Sequence, residues 1–250
     1  MKQGSKCTVI DYRDANHVTV KFDSGYITNA KWYRLVEGTV KDKFTYQISY
    51  LNEILDANPY DGHGKETKGY REFHNMHIRC FDKQYKKQRP TYNDVTCCEE
   101  WNYFSNYLSW REQQPNLKYL EDTGKRFELD KDILKKGNKI YSPENCCLVP
   151  ATVNQVFNRH VRHRGDLPIG VTWNSNRTYV IAKWNDPIEN RAYWSTTYPA
   201  TMEGIQIAFN EYKIHKEEII KKVAQIELDK KTITKECYDA MMQYEVEFTD

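Results

Sequence analysis

The chain has 250 residues, with 37 Lys and Arg against 35 Asp and Glu, a formal charge of +2 and a mean hydropathy of −0.85. Aromatic residues make up 14% of it, including 19 Tyr and 6 Trp, which excludes the disordered class, poor in such residues. No apolar run approaches the roughly 20 residues needed to cross a bilayer. The opening MKQGSKCTVIDYRD has no apolar signal core, so a soluble, cytoplasmic protein without a membrane partner is expected.

Charge is unevenly distributed. Residues 1–150 carry 24 basic and 21 acidic side chains, residues 151–200 six and three, and residues 201–250 seven and eleven. The middle segment suits an anionic partner and the acidic end does not. Seven cysteines stand at 7, 80, 97, 98, 146, 147 and 237, with no C-x-x-C pair. An odd count without a secretion signal favours reduced thiols over a disulfide framework.

The first forty residues alternate as strands do. Val18, Val20 and Phe22 point one way and Thr19 and Lys21 the other, before a turn at Asp23-Ser24-Gly25. With strands at 7–10, 26–27 and 38–40, residues 1–58 are expected to form a β-rich barrel or sheet of the kind that grips a partner. Turn formers and charge mark a linker over 59–69. Beyond it the period changes to that of helices: Tyr70, Phe73, His77 and Cys80 over 70–84, then Trp101, Phe104 and Leu108 in a helix from about 97. Both stripes read as core.

The segment after Phe127 carries the chemistry. Leu129-Asp130-Lys131-Asp132-Ile133 is followed by Gly137-Asn138-Lys139-Ile140-Tyr141-Ser142-Pro143-Glu144-Asn145-Cys146, then Val149-Pro150 and Asn154. A carboxylate on a strand precedes, across a loop, an Asn that begins a helix, and Asn154 and Asn158 share one helix face. Asp130, Asn154 and Asn158 are hard oxygen donors suited to Mg²⁺ or Mn²⁺, with waters and a phosphate completing the shell. No P-loop, G-x-S-x-G or H-E-x-x-H is present.

These residues resemble the HNH, or ββα-metal, nucleases of bacteriophages, especially free-standing and intron-encoded homing endonucleases. The likeness covers roughly residues 70–165, including Arg79-Cys80 and Cys98-Glu99-Glu100-Trp101. It implies metal-dependent nicking or cleavage of duplex DNA, with Asp130, Lys131 and Asn154 at the catalytic centre. In that family a His follows the metal-binding Asp and takes a proton from the attacking water; here Lys131 stands there. Either another group, such as His160 or His163, activates the water, or cleavage has been lost and DNA binding remains. Cys80, Cys98 and Cys146 lie within the same stretch and are candidate ligands for a structural Zn²⁺, with His77 or Cys97 as a fourth.

Three further strands are expected at 169–173, 178–184 and 191–195, covered by a long helix over 202–226 that carries Ile205, Ala208, Phe209 and Tyr212 on one face. Ile169-Gly170-Val171, the strand from Tyr179 and the helix with Ala208-Phe209-Asn210-Glu211-Tyr212 resemble the plant ethylene-response-factor type of DNA-binding module. That likeness implies a sheet in the major groove, with Arg177, Lys183, Arg191 and Tyr193 as DNA contacts. Between the two modules, Arg159, Arg162, His163 and Arg164 form a basic connector suited to tracking phosphates.

The expected architecture is α+β, with three small modules in series. They are the β-rich module (1–58), a helical and HNH-like domain (70–165), and a three-stranded sheet with packed helix (166–226), followed by a helical acidic tail (227–250). The partner is double-stranded DNA, and the N-terminal module or acidic tail is available to a protein partner. The alternatives to a nuclease are a non-catalytic DNA-binding protein on the same scaffold, regulatory or counter-defensive, and a protein–protein interaction module.

Overall fold

The computed structural model describes residues 1, 5–42, 46–48, 51–61, 63–157 and 165–250. They form two compact units, 1–114 with 138–145, and 115–137 with 146–250. The architecture is α+β, with several small sheets and, among the described residues, no barrel. Among the described residues no helix is long and apolar enough to cross a membrane.

In the first unit β1 (Cys7–Asp14), β2 (His17–Phe22) and β3 (Ile27–Ala30) form an antiparallel sheet in that order. The Asp14 carboxylate closes the β1–β2 turn, accepting the Asn16 N–H at 2.7 Å and the His17 N–H at 3.1 Å. Alternation places Val18, Val20 and Phe22 in one core with Tyr26 and Val40. The strand expected at 38–40 does not form. Helix α1 (Trp32–Val36) occupies the preceding residues, and Gly38 ends it at φ +66 with its N–H on the Leu35 carbonyl. Val40 reaches the core from a loop instead.

A hairpin of β4 (Tyr46–Ile48) and β5 (Glu53–Leu55) leads to α2 (Lys68–Phe81), whose first turn is capped by the Thr67 hydroxyl accepting the Tyr70 N–H. Helix α3 (Lys83–Gln88) and strand β6 (Thr96–Cys97) follow. The helix expected from residue 97 begins later. A 3₁₀ turn over 99–102 ends at Tyr103, which is extended, and α4 (Phe104–Glu112) starts there. The aromatic stripes do form a core: Phe73 packs on Phe104 and Tyr107 at centroid distances of 5.2 and 5.7 Å.

The second unit opens with α5 (Leu117–Asp122) and β7 (Phe127–Asp130). Strand β8 (Ile140–Tyr141) belongs to the first unit, parallel to β6. Strand β9 (Cys147–Pro150) pairs antiparallel with β7 and runs directly into α6 (Ala151–Val156), a ββα arrangement. Then β10 (Val171–Trp173), β11 (Tyr179–Asp186) and β12 (Arg191–Trp194) form an antiparallel sheet, and β13 (Tyr198–Pro199) continues the third strand along β11.

Helix α7 (Met202–Asp229) serves two cores in succession. Its Ala208, Phe209 and Tyr212 cover Val171, Val180 and Ala182 of the sheet. Its Ile219, Ile220 and Val223 cover Val149 and Val153 of the ββα element, joined by Cys237 and Met241 of α8 (Lys235–Met242). The sheet and the ββα element are thereby tied to one helix.

Candidate metal centre and nucleic-acid interface

Strand alternation sets the centre. Phe127 and Leu129 are buried, while Glu128 and Asp130 lie half-buried on the opposite face of β7. Helix α6 packs across that face, and the Asn154 amide donates a hydrogen bond to the Glu128 carboxylate. Arg126 holds the other Glu128 oxygen at 2.8 Å. Asp130 Oδ1 accepts the N–H groups of Asp132 and Ile133, both at 2.9 Å, and so turns the chain out of the strand. Burial, reinforced by the Asp132 charge, raises the Asp130 pKa to about 6.

Lys131 points away from solvent, only 7% exposed, with its ammonium 3.3 Å from the Asp132 carboxylate. Asn154 meets Glu128 rather than Asp130, and so adds Glu128 to the candidate centre, which the motif did not reveal. Its signal was the i, i+2 spacing from Asp130 on a strand. Two carboxylates and an amide on one face are a hard-oxygen donor set that fits Mg²⁺ or Mn²⁺. Desolvation disfavours the Asp130 carboxylate's charge, a cost that a divalent cation held beside it would offset. Asn158, Arg159, His160, Arg162, His163 and Arg164 lie outside the described residues.

The Tyr141 to Cys146 stretch plays a scaffolding part. Tyr141 is 2% exposed, its hydroxyl takes a hydrogen bond from Arg79 at 3.1 Å, and burial pushes its pKa up. Ser142 and Asn145 close the turn on each other at 2.9 Å. Two of the candidate thiols engage each other. Cys80 shares a hydrogen bond with Cys97, which together with burial holds it protonated. Both ring nitrogens of His77 face backbone carbonyls, of Leu51 at 2.6 Å and Trp101 at 2.7 Å. Cys98 belongs to the first unit and Cys146, buried, to the second. Among the described residues no group of three or more His, Cys, Asp or Glu is placed to hold a metal ion.

Register divides three of the four expected DNA contacts between the two faces of the C-terminal sheet. Lys183 pairs with Trp194 and points outward beside Tyr179, its ammonium 5.6 Å from the Trp194 ring. Arg177 sits in the β10–β11 turn with φ +53, outside the strand register. Arg191 and Tyr193 pair with Asp186 and Trp184, which are on the helix side. There Tyr193 stacks on Trp184, which stacks in turn on His215 of α7 at 4.2 Å. Trp194, 57% exposed, is the outward aromatic that sequence reasoning missed.

Comparison of the chain with protein-family models, with curated proteins and with solved structures returned no match.

Proposed function

We propose that this chain is a phage-type DNA-binding protein that nicks or cuts duplex DNA, acting in the cytoplasm with Mg²⁺ or Mn²⁺ at Asp130, Glu128 and Asn154. One observation carries the reading: β7, β9 and α6 bring two carboxylates and an amide to a single face. The resemblance of residues 70–165 to ββα-metal nucleases points the same way. A cation held there would polarise a phosphodiester and acidify its bound water. Asp130 and Glu128 supply the anionic ligands, and Asn154 braces Glu128 from α6. The outward sheet face, with Lys183, Tyr179 and Trp194, and Arg177 in the β10–β11 turn lie against DNA, their cations on phosphates. Arg191 and Tyr193 are left to a different role. The N-terminal sheet and helix α1, with Tyr12, Trp32 and Val36 exposed, suit a protein partner.

A second reading, a DNA-binding protein without cleavage, is favoured by Lys131. Its ammonium is buried and engaged with Asp132, so it does not replace an imidazole base. Supercoiled plasmid with Mg²⁺ or Mn²⁺ separates the two. Metal-dependent relaxation by the wild type, lost in Asp130→Ala, supports the nuclease. Salt-sensitive retardation of DNA without relaxation supports the binder, and neither outcome removes both.

A further inference from the structure

The second unit contains a cleft of about 740 Å³ between α6, the β10–β12 sheet and α7. Among the described residues its lining includes two cations on the helix side, Arg191 and Lys216, against one carboxylate, Asp186, while Lys183 borders it with its side chain turned to the outward face. Asp186 is 7% exposed and its Oδ1 accepts the N–H groups of Ile188 and Glu189 at 2.8 and 3.2 Å. Trp184 and Tyr212 add aromatic surface. Lys216 makes no hydrogen bond or ion pair with a described residue. Glu217, its neighbour in the chain, and Asp250, which lines a small adjacent pocket with it, are committed elsewhere. Glu217 is 3.5 Å from the Lys213 ammonium and accepts the Val246 N–H, and Asp250 is 3.0 Å from the Lys136 ammonium. His215, the other titratable neighbour on α7, is stacked on Trp184.

Lys216, with no partner among the described residues, lines a cationic, partly aromatic cleft of a kind that suits an anion. We propose that this cleft is a phosphate-binding site, in which Lys216, aided by Arg191, holds the phosphate of a nucleotide whose base or sugar lies against Trp184 and Tyr212. None of Asp130, Glu128 and Asn154 lines the cleft, and the proposal does not depend on cleavage. The phosphate has two possible sources, a free nucleoside monophosphate or a DNA strand that reaches the cleft.

Burial without a counter-charge lowers the Lys216 pKa to about 8. A phosphate monoester is largely dianionic above pH 7, so the ammonium is the group that titrates between pH 7 and 9. Calorimetric titration of the full chain with dTMP, with AMP and with inorganic phosphate is the test. Binding is expected to weaken about tenfold from pH 7 to pH 9. Lys216→Met should lose at least about tenfold at pH 7, and Lys216→Arg should bind equally at both pH values. Competition by short duplex DNA assigns the site to a bound strand, and indifference to DNA assigns it to a free nucleotide. No binding of any of the three probes, or equal binding by Lys216→Met with a wild-type thermal melt, overturns the proposal.

Discussion

Asp130→Asn is expected to nick plasmid about 10³-fold more slowly than wild type and yet to be more stable above pH 6. The two effects share one cause. Burial and the neighbouring Asp132 place the Asp130 pKa at about 6, above the unfolded value of about 3.9. The folded state therefore holds this proton more tightly than the unfolded chain does. The contribution is full below about pH 4 and is lost as pH rises through 6. At neutral pH the metal-free wild type carries a buried carboxylate at a cost of about 3 kcal/mol, which Asn removes while its carbonyl still accepts the Asp132 and Ile133 N–H groups. Urea unfolding in chelator at pH 4.5 and 7.5 checks this: the advantage of the variant should grow with pH. An equal stability difference at both values would contradict the account.

The second large effect concerns the first unit. Arg111 is 6% exposed, and its Nε donates to Glu72 Oε2 at 2.7 Å while the Tyr107 hydroxyl donates to the same oxygen at 3.2 Å. Removing one partner of a buried pair takes away the main counter-charge of the other, which costs about 3–5 kcal/mol. Glu72→Ala is expected to lose that much by chemical denaturation. Glu72→Leu with Arg111→Met, which removes both charges and keeps volume, should recover most of the loss. A small effect for Glu72→Ala would mean that water or another group compensates Arg111.

Period was readable where one face is buried. Val18, Val20 and Phe22, the stripe of Phe73 and Phe104, and α7 from Met202 follow from alternation or helical spacing, because core burial imposes those patterns. Asp130 on a strand and Asn154 on the next helix were likewise visible. Glu128 was not, because its link to Asn154 depends on how α6 crosses β7, a tertiary fact. The division of Lys183 from Arg191 and Tyr193 depends on the register of β11 against β12, and one residue in the connecting turn would have exchanged the faces. Lys216 stands in a run of charged residues on α7 that reads as a solvated face. Its burial comes from the cleft walls, which no local pattern encodes. The fourth N-terminal strand failed for a local reason, since Trp32–Val36 forms a helical turn that Gly38 ends.

The central claim is that the ββα face holds a divalent cation, and Mn²⁺ tests it directly, since the electron paramagnetic resonance signal of free Mn²⁺ falls on binding. Titrated into the metal-free protein at pH 7.5, Mn²⁺ is expected to bind at one site per chain and be displaced by Mg²⁺, with binding lost in Asp130→Asn and weakened in Glu128→Gln. Absence of binding by the folded wild type, or equal binding by Asp130→Asn, would contradict it.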